Sequence, residues 1–177
     1  MKNPLVWAVI VNWNGRELLE ACLSTLLDST YPNLSVTVVD NASTDGSPQV
    51  VREKFEGVTL VESGENLGYA AGANTGIRYA RGRGADFVLL LNNDVELDPS
   101  AVTELVDAAG RDSRRAMIGP MIYYWDRPEI IWSAGGEVSY WTGDIRHRGL
   151  RQRDEGQFAE IAEVDYVTGC AVLVSLS

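Results

Sequence analysis

Residues 5–11 read LVWAVIV, an apolar and β-branched run that stops abruptly at Asn12, Trp13, Asn14 and Gly15. A short apolar run bounded by turn formers predicts a strand buried on both faces. In residues 16–27 the positions Leu18, Leu19, Cys22, Leu23, Leu26 and Leu27 recur at helical spacing, with Arg16, Glu17, Glu20 and Ser24 on the other side. An amphipathic helix is expected there. The pattern repeats with a strand over 35–39, a polar turn over 40–46, and a helix to about Phe55 that Ser47 caps and Pro48 opens. A third strand is expected over 58–61, then a polar stretch over 62–67. Residues 69–81 are alanine-rich with Gly72 and Gly76 inside, so a helix there is weak by propensity but able to lie close against a sheet or ligand. FVLLL at 87–91 predicts a fourth strand, and Asp98-Pro99 starts a further helix through Ala109.

Strand and helix alternate to residue 110, which predicts an α/β fold with a mostly parallel central sheet. Beyond residues 117–121 the alternation stops. Residues 122–160 are rich in Trp, Tyr, Gly and Arg without helical period, and are expected as loops and hairpins over the sheet. An apolar strand resumes over 164–174, interrupted at Thr168-Gly169. The length of 177 residues fits a single domain. Within it, 1–121 is the α/β core and 122–177 an irregular segment with the last strand.

A composition of 45% apolar and 23% charged residues belongs to an ordinary globular chain. The formal charge of −10 argues against nucleic acid and nonspecific contact with anionic lipid. An anionic ligand must therefore be met locally, by a metal, a helix N-terminus or a few arginines. Cys22 and Cys170 are far apart in sequence and read as buried thiols. With no signal-peptide pattern and no apolar run of ~20 residues, the expected compartment is the cytoplasm, with peripheral contact at the inner face of the membrane left open.

Polar clusters stand where strands end, at 12–15, 40–46, 62–68 and 92–96. Parallel strands bring their C-terminal ends to one edge, so these clusters are expected to converge on one crevice. Taken alone, each is an ordinary turn. Asp94 is harder to read that way, because it follows a buried run and has Asn92, Asn93 and Glu96 beside it. Such oxygen donors suit Mg²⁺ or Mn²⁺ bridging phosphate oxygens, although an Asx-turn into the next helix would also use them. Asp165 reads as an acceptor-side or structural acid, and His147, between Arg146 and Arg148, as a solvated surface histidine. Tyr123, Tyr124, Trp125, Trp132, Tyr140 and Trp141 are read mainly as packing, with sugar stacking as the alternative.

VIVNWNG at 9–15, VVDNASTDGS at 38–47, ENLGYAAGANTGI at 65–77 and LLLNNDVEL at 89–97 stand in the order and spacing of the family-2 glycosyltransferases, which the chain resembles over nearly its whole length. SAGG at 133–136 and VDYVTGCAVLV at 164–174 are similar to the rhamnosyltransferase-like branch. The resemblance implies a GT-A fold, a Rossmann-like α/β/α sandwich. It implies an inverting, metal-dependent glycosyltransferase that moves a sugar from a UDP- or dTDP-linked donor to a saccharide or lipid-linked acceptor, in cell-surface polysaccharide synthesis. It places Val11 and Asn12 beside base and ribose, and Asp40 as acceptor for the base imide. Asn66, Gly68, Gly72 and Asn74 would line the nucleotide, with Asn92 and Asn93 near ribose or metal-bound water. Asp94 would be the principal carboxylate on Mn²⁺ or Mg²⁺. The general base of such enzymes lies in an acidic pair expected beyond Ser177, so the chain reads as C-terminally incomplete. A noncatalytic nucleotide-sugar-binding module is the alternative. A dehydrogenase is disfavoured, because no G-x-G-x-x-G follows the first strand.

Overall fold

The computed structural model describes residues 3–112 and 116–176. Strands β1 (Val6–Asn12), β2 (Leu34–Asp40), β3 (Thr59–Glu62) and β4 (Phe87–Asn92) alternate with helices α1 (Arg16–Leu27), α2 (Ser47–Lys54), α3 (Gly68–Arg81) and α4 (Ala101–Gly110). Two short strands follow at β5 (Met117–Ile118) and β6 (Ile122–Tyr124), then β7 (Arg127–Ser133), β8 (Gly136–Val138), β9 (Ile145–His147) and β10 (Ala171–Ser175). The main sheet runs β3-β2-β1-β4-β10-β5. Its first four strands are parallel, and β10 lies antiparallel to both β4 and β5. The expected mixed, largely parallel α/β/α fold is what forms.

Period-2 alternation explains why β1 is apolar throughout. Val6, Ala8 and Ile10 pack on one face with Leu19, Leu23 and Leu26 of α1, Val51 of α2, and Val102 and Leu105 of α4. Trp7 and Val9 pack on the other, with Ile77 and Ala80 of α3. Both faces are covered, so neither can be polar. The Trp7 indole still finds a partner, donating to Thr37 Oγ1 at 2.8 Å.

The small residues of α3 serve this close packing. A Cβ on Gly72 would lie 2.8 Å from Val11 Cγ1, and one on Gly76 would collide with Val9. The weak helix former is therefore required where α3 crosses β1.

Local caps differ from expectation by small shifts. Gly46, in the left-handed region at φ 88°, caps α2, and Ser47 is its first residue. Asp98 Oδ1 accepts from the N–H and hydroxyl of Ser100, which is the N-cap of α4. The single strand expected over 164–174 is shorter: β10 begins at Ala171, opposite Leu91, and Tyr166 makes only an isolated bridge to Gly136. Apolar continuity marked burial there, while pairing with β4 decided where the strand begins. Residues 122–160 form two hairpins, β6-β7 and β8-β9, as expected.

Candidate functional site

Strand register aligns the polar ends. Asn12 pairs with Asp40, Val11 with Asn92, and Asp40 with Glu62, so the C-terminal ends of the parallel strands form one edge. The loops leaving that edge are laced to each other. Asn14 Oδ1 accepts the Thr44 N–H at 2.7 Å, and the Asn14 N–H donates to Ser43 Oγ at 2.9 Å. Asp45 joins two helix N-termini: Oδ2 accepts the Arg16 N–H at 2.9 Å, and Oδ1 accepts the Ser47 N–H and hydroxyl at 3.0 and 2.6 Å. Burial pushes its carboxyl up, and these donors outweigh it, leaving Asp45 below the usual aspartate range.

Beneath the loops lies a buried amide and carboxylate network. Asn12, fully buried, donates from Nδ2 to Asp40 Oδ1 at 3.1 Å and to Ser43 Oγ at 3.2 Å, while its Oδ1 accepts from Asn93 Nδ2 at 2.8 Å. The second oxygen of Asp40 accepts the Ser43 N–H at 2.8 Å, and the residue is only 1% exposed. Asp40 and Asn12, expected as ligand contacts, are thus also bonded to each other and to the neighbouring loop. These bonds hold the two strand ends and the loop at Ser43 in place.

The next residue has the opposite character. Asn41 is 2% exposed, and its Nδ2 donates to Gly68 O at 3.1 Å. Its Oδ1 is the one buried side-chain polar atom among the described residues without a hydrogen-bond partner. The amide orientation is fixed by Gly68, since a flip would face two acceptors. A buried acceptor left open costs ~1–3 kcal/mol, so it demands an explanation. Asn41 follows Asp40 directly, and nothing in the sequence marks it as the residue whose acceptor lacks a partner.

Other expected residues divide. Val11 is half-buried and touches the α3 glycine Gly72. Asn66 and Gly68 close an Asx-turn at the start of α3, with the Gly68 N–H donating to Asn66 Oδ1 at 2.9 Å and Gly68 at φ 79°. Asn74 is exposed. Two residues from Gly72 is about 200° around the helix, so Asn74 points away from the face that meets β1. Asn92 ends β4, and its backbone is held by the Cys170 carbonyl, which accepts the Asn92 N–H at 3.0 Å. Asp94 is exposed just past it. Trp13, also not anticipated, stands 57% exposed directly after Asn12, an indole free to cover a planar ring.

The remaining candidates settle elsewhere. Glu96 accepts the Trp125 indole N–H at 2.9 Å. Asp165 Oδ2 accepts the Val138 N–H at 2.8 Å, a structural use. His147 is half-buried rather than solvated: Nδ1 faces Ser133 Oγ at 3.0 Å, and the ring lies against Trp132 at 4.7 Å. Tyr123 donates to Asp154 at 2.6 Å, and the Tyr124 ring lies under Arg127. Trp125, Tyr140 and Trp141 are 80%, 85% and 99% exposed and so are not packing residues. Cys22 is buried, which pushes its thiol up to about 12, whereas Cys170 is only half-buried.

Among the described residues, no group of three or more His, Cys, Asp or Glu side chains gathers as a metal cage. One exposed carboxylate with amide oxygens nearby is a hard-oxygen set that fits Mg²⁺ or Mn²⁺ only when phosphate oxygens complete the shell. No helix among the described residues is long and apolar enough to cross a membrane.

Comparison with known proteins agrees with this architecture. The profile described as Glycosyl transferase family 2 matches residues 7–173. An N-acetylglucosaminyl-diphospho-decaprenol L-rhamnosyltransferase of Mycobacterium tuberculosis is 35% identical over 122 residues, covering 64% of this chain and 40% of that protein. A mannosyltransferase from Pyrobaculum calidifontis, solved with GDP-Man and Mn²⁺, is similar at TM-score 0.62 and 27% identity, over 70% of this chain and 37% of that one. Staphylococcus aureus TarS 1-349 with UDP-GlcNAc shares the fold at TM-score 0.60 and 19% identity, covering 78% of this chain and 41% of that one. The chain thus spans well under half the length of these relatives.

Proposed function

We propose that this chain, which belongs to glycosyl transferase family 2, is the donor-binding part of an inverting, metal-dependent glycosyltransferase that uses a UDP- or dTDP-linked sugar. The observation that carries the reading is the convergence of Asn12, Asp40 and Asn92 at the ends of paired parallel strands, beside the exposed Asp94. A uracil or thymine base would lie over that edge, and a small shift of the Asn41 amide, whose buried Oδ1 lacks a partner, would let the imide N–H donate to it. Asp40 and Asn41, neighbours at the end of β2, are the two acceptors proposed for that contact. Asp40, Asn12 and Asn93 hold the floor of the crevice rigid, so the base meets a preformed surface. Trp13 is assigned to stack on the base.

Asp94 would hold Mn²⁺ or Mg²⁺ together with the diphosphate, and the ion would supply Lewis-acid stabilisation of the departing diphosphate. Asp94 is an exposed carboxylate just past this strand end, which is held by the Asn92 N–H to Cys170 O and by the Asn93 side chain to Asn12. The relative named for a decaprenol-linked substrate supports a lipid-linked saccharide as acceptor, a rhamnosyltransferase-like role and a place in cell-surface polysaccharide synthesis.

A thermal-shift panel of UDP, dTDP, GDP and ADP with and without Mn²⁺ tests this, because specific binding raises the melting temperature by mass action. UDP or dTDP should stabilise the chain in Mn²⁺ and far less in EDTA. No shift with any nucleotide overturns the reading.

A further inference from the structure

We propose that Tyr69 is the specificity-determining residue that distinguishes a nucleotide diphospho-sugar from the bare nucleotide diphosphate, by contacting the transferred sugar; this rests on the donor reading above. Tyr69 stands in the first turn of α3, directly after Gly68, whose carbonyl accepts from Asn41. From there its hydroxyl reaches to Gly169 O at 3.4 Å. Gly169 precedes Cys170, whose carbonyl accepts the Asn92 N–H, and Asp94 follows two residues later. The Tyr69 side chain therefore spans from the Asn41 end of the crevice to the Asp94 end.

Two further observations place it there. Burial raises the Tyr69 hydroxyl, with the nearby Cys170 thiol adding to it, and the Cys170 thiol is itself raised by burial and then by Asp94. Tyr69, Cys170 and Asp94 thus share one neighbourhood. Yet Tyr69 remains 47% exposed, so a large part of it is left for a ligand. A donor whose diphosphate meets Asp94 carries its sugar beyond that point, and the hydroxyl end of Tyr69, at Gly169 O, lies on the Asp94 side of the crevice where the sugar would begin. An aromatic ring presents a flat apolar surface to the C–H face of a sugar. The bond to Gly169 is long and can be exchanged for a sugar hydroxyl.

The test is calorimetric titration of UDP against UDP-GlcNAc, and of dTDP against dTDP-rhamnose, in Mn²⁺, for wild type, Tyr69→Phe and Tyr69→Ala. Tyr69→Ala should lose roughly tenfold in diphospho-sugar affinity while diphosphate affinity stays within about twofold. Tyr69→Phe, which keeps the ring, should stay within about threefold for both and guards against a folding defect in the alanine variant. Equal weakening of diphosphate and diphospho-sugar, or no weakening of either, overturns the assignment alone. Failure of the wild type to bind any of the four ligands overturns the donor reading and this inference with it.

Discussion

The two halves of the chain reach order by different means. Residues 5–110 order by periodicity: strands apolar on both faces, helices apolar on one, and polar groups gathered where strands end. Residues 116–176 contribute few core side chains, chiefly Ile131 and those of β10, and are tied by individual bonds such as Tyr123 to Asp154 and Val138 to Asp165. The first half carries a preformed polar floor. The second presents Trp125, Tyr140 and Trp141 to solvent. A donor crevice that must hold groups in fixed positions is built on rigid strands, whereas the hairpins are free to vary without disturbing it.

The comparison predicts unequal responses to equal truncations. Ile10 and Ile131 are both 0% exposed. Ile10→Ala removes a side chain from the central strand, where α1 and α4 meet the sheet, and should cost ~2–5 kcal/mol of global stability in denaturant melts. Ile131→Ala should act locally, raising hydrogen exchange over 122–160 more than over 5–110. Uniform loss of protection in both variants would break the distinction between the halves.

Asp94→Ala comes next, because it separates donor chemistry from stability. The side chain is exposed, so the melting point without ligand should stay within the ~0.5 kcal/mol usual for surface changes. Nucleotide affinity in Mn²⁺ should fall at least tenfold, toward the value in EDTA. Equal affinity in the variant and the wild type, measured by calorimetry, would remove Asp94 from the metal site.

Much of the first half was legible because burial on both faces leaves a long trace in sequence. The end of β2 was not. Side-chain direction reverses with each residue of a strand, so Asp40 and Asn41 exchange roles according to where the strand stops, and no periodicity in VVDNAST marks that point. The start of β10 was obscured differently: YVTGCAVLV is apolar before and after the turn, while the paired register with β4 begins at Ala171 opposite Leu91. His147 shows the same limit, since its contacts with Ser133, Trp132 and Tyr166 arise from pairing of distant strands. Asn74, expected beside the nucleotide, is exposed on the side of α3 turned away from β1.

Asp45 gives a pH-dependent test of how firmly the donor loops are laced. Its folded pKa is depressed, so its stabilising contribution is present above the ordinary aspartate value of ~3.9 and is lost as pH falls through the lower folded value. Asp45→Asn should therefore melt below wild type at neutral pH, by about 1 kcal/mol for a weakened double cap. The gap should begin to narrow near the ordinary aspartate value of ~3.9 and close only below the lower folded value. A gap independent of pH would mean that packing, not the charge, holds the two helix starts.

The smallest effect belongs to Ala42, between the buried floor and the laced loop. Its φ of 61° lies in the left-handed region, where a Cβ costs roughly 1–2 kcal/mol. Ala42→Gly removes that cost but gives the unfolded chain more freedom, worth ~0.5–1 kcal/mol in the other direction. The net expectation is a gain of about 0.5 kcal/mol, or ~1–2 °C in melting temperature for a chain of this size. Nucleotide affinity should not change, because Asn12, Ser43 and Asp40 hold the loop through side-chain bonds that the substitution leaves intact. A lower melting point would show that the loop depends on the alanine methyl for packing, and the donor edge would then share the hairpins' reliance on individual contacts.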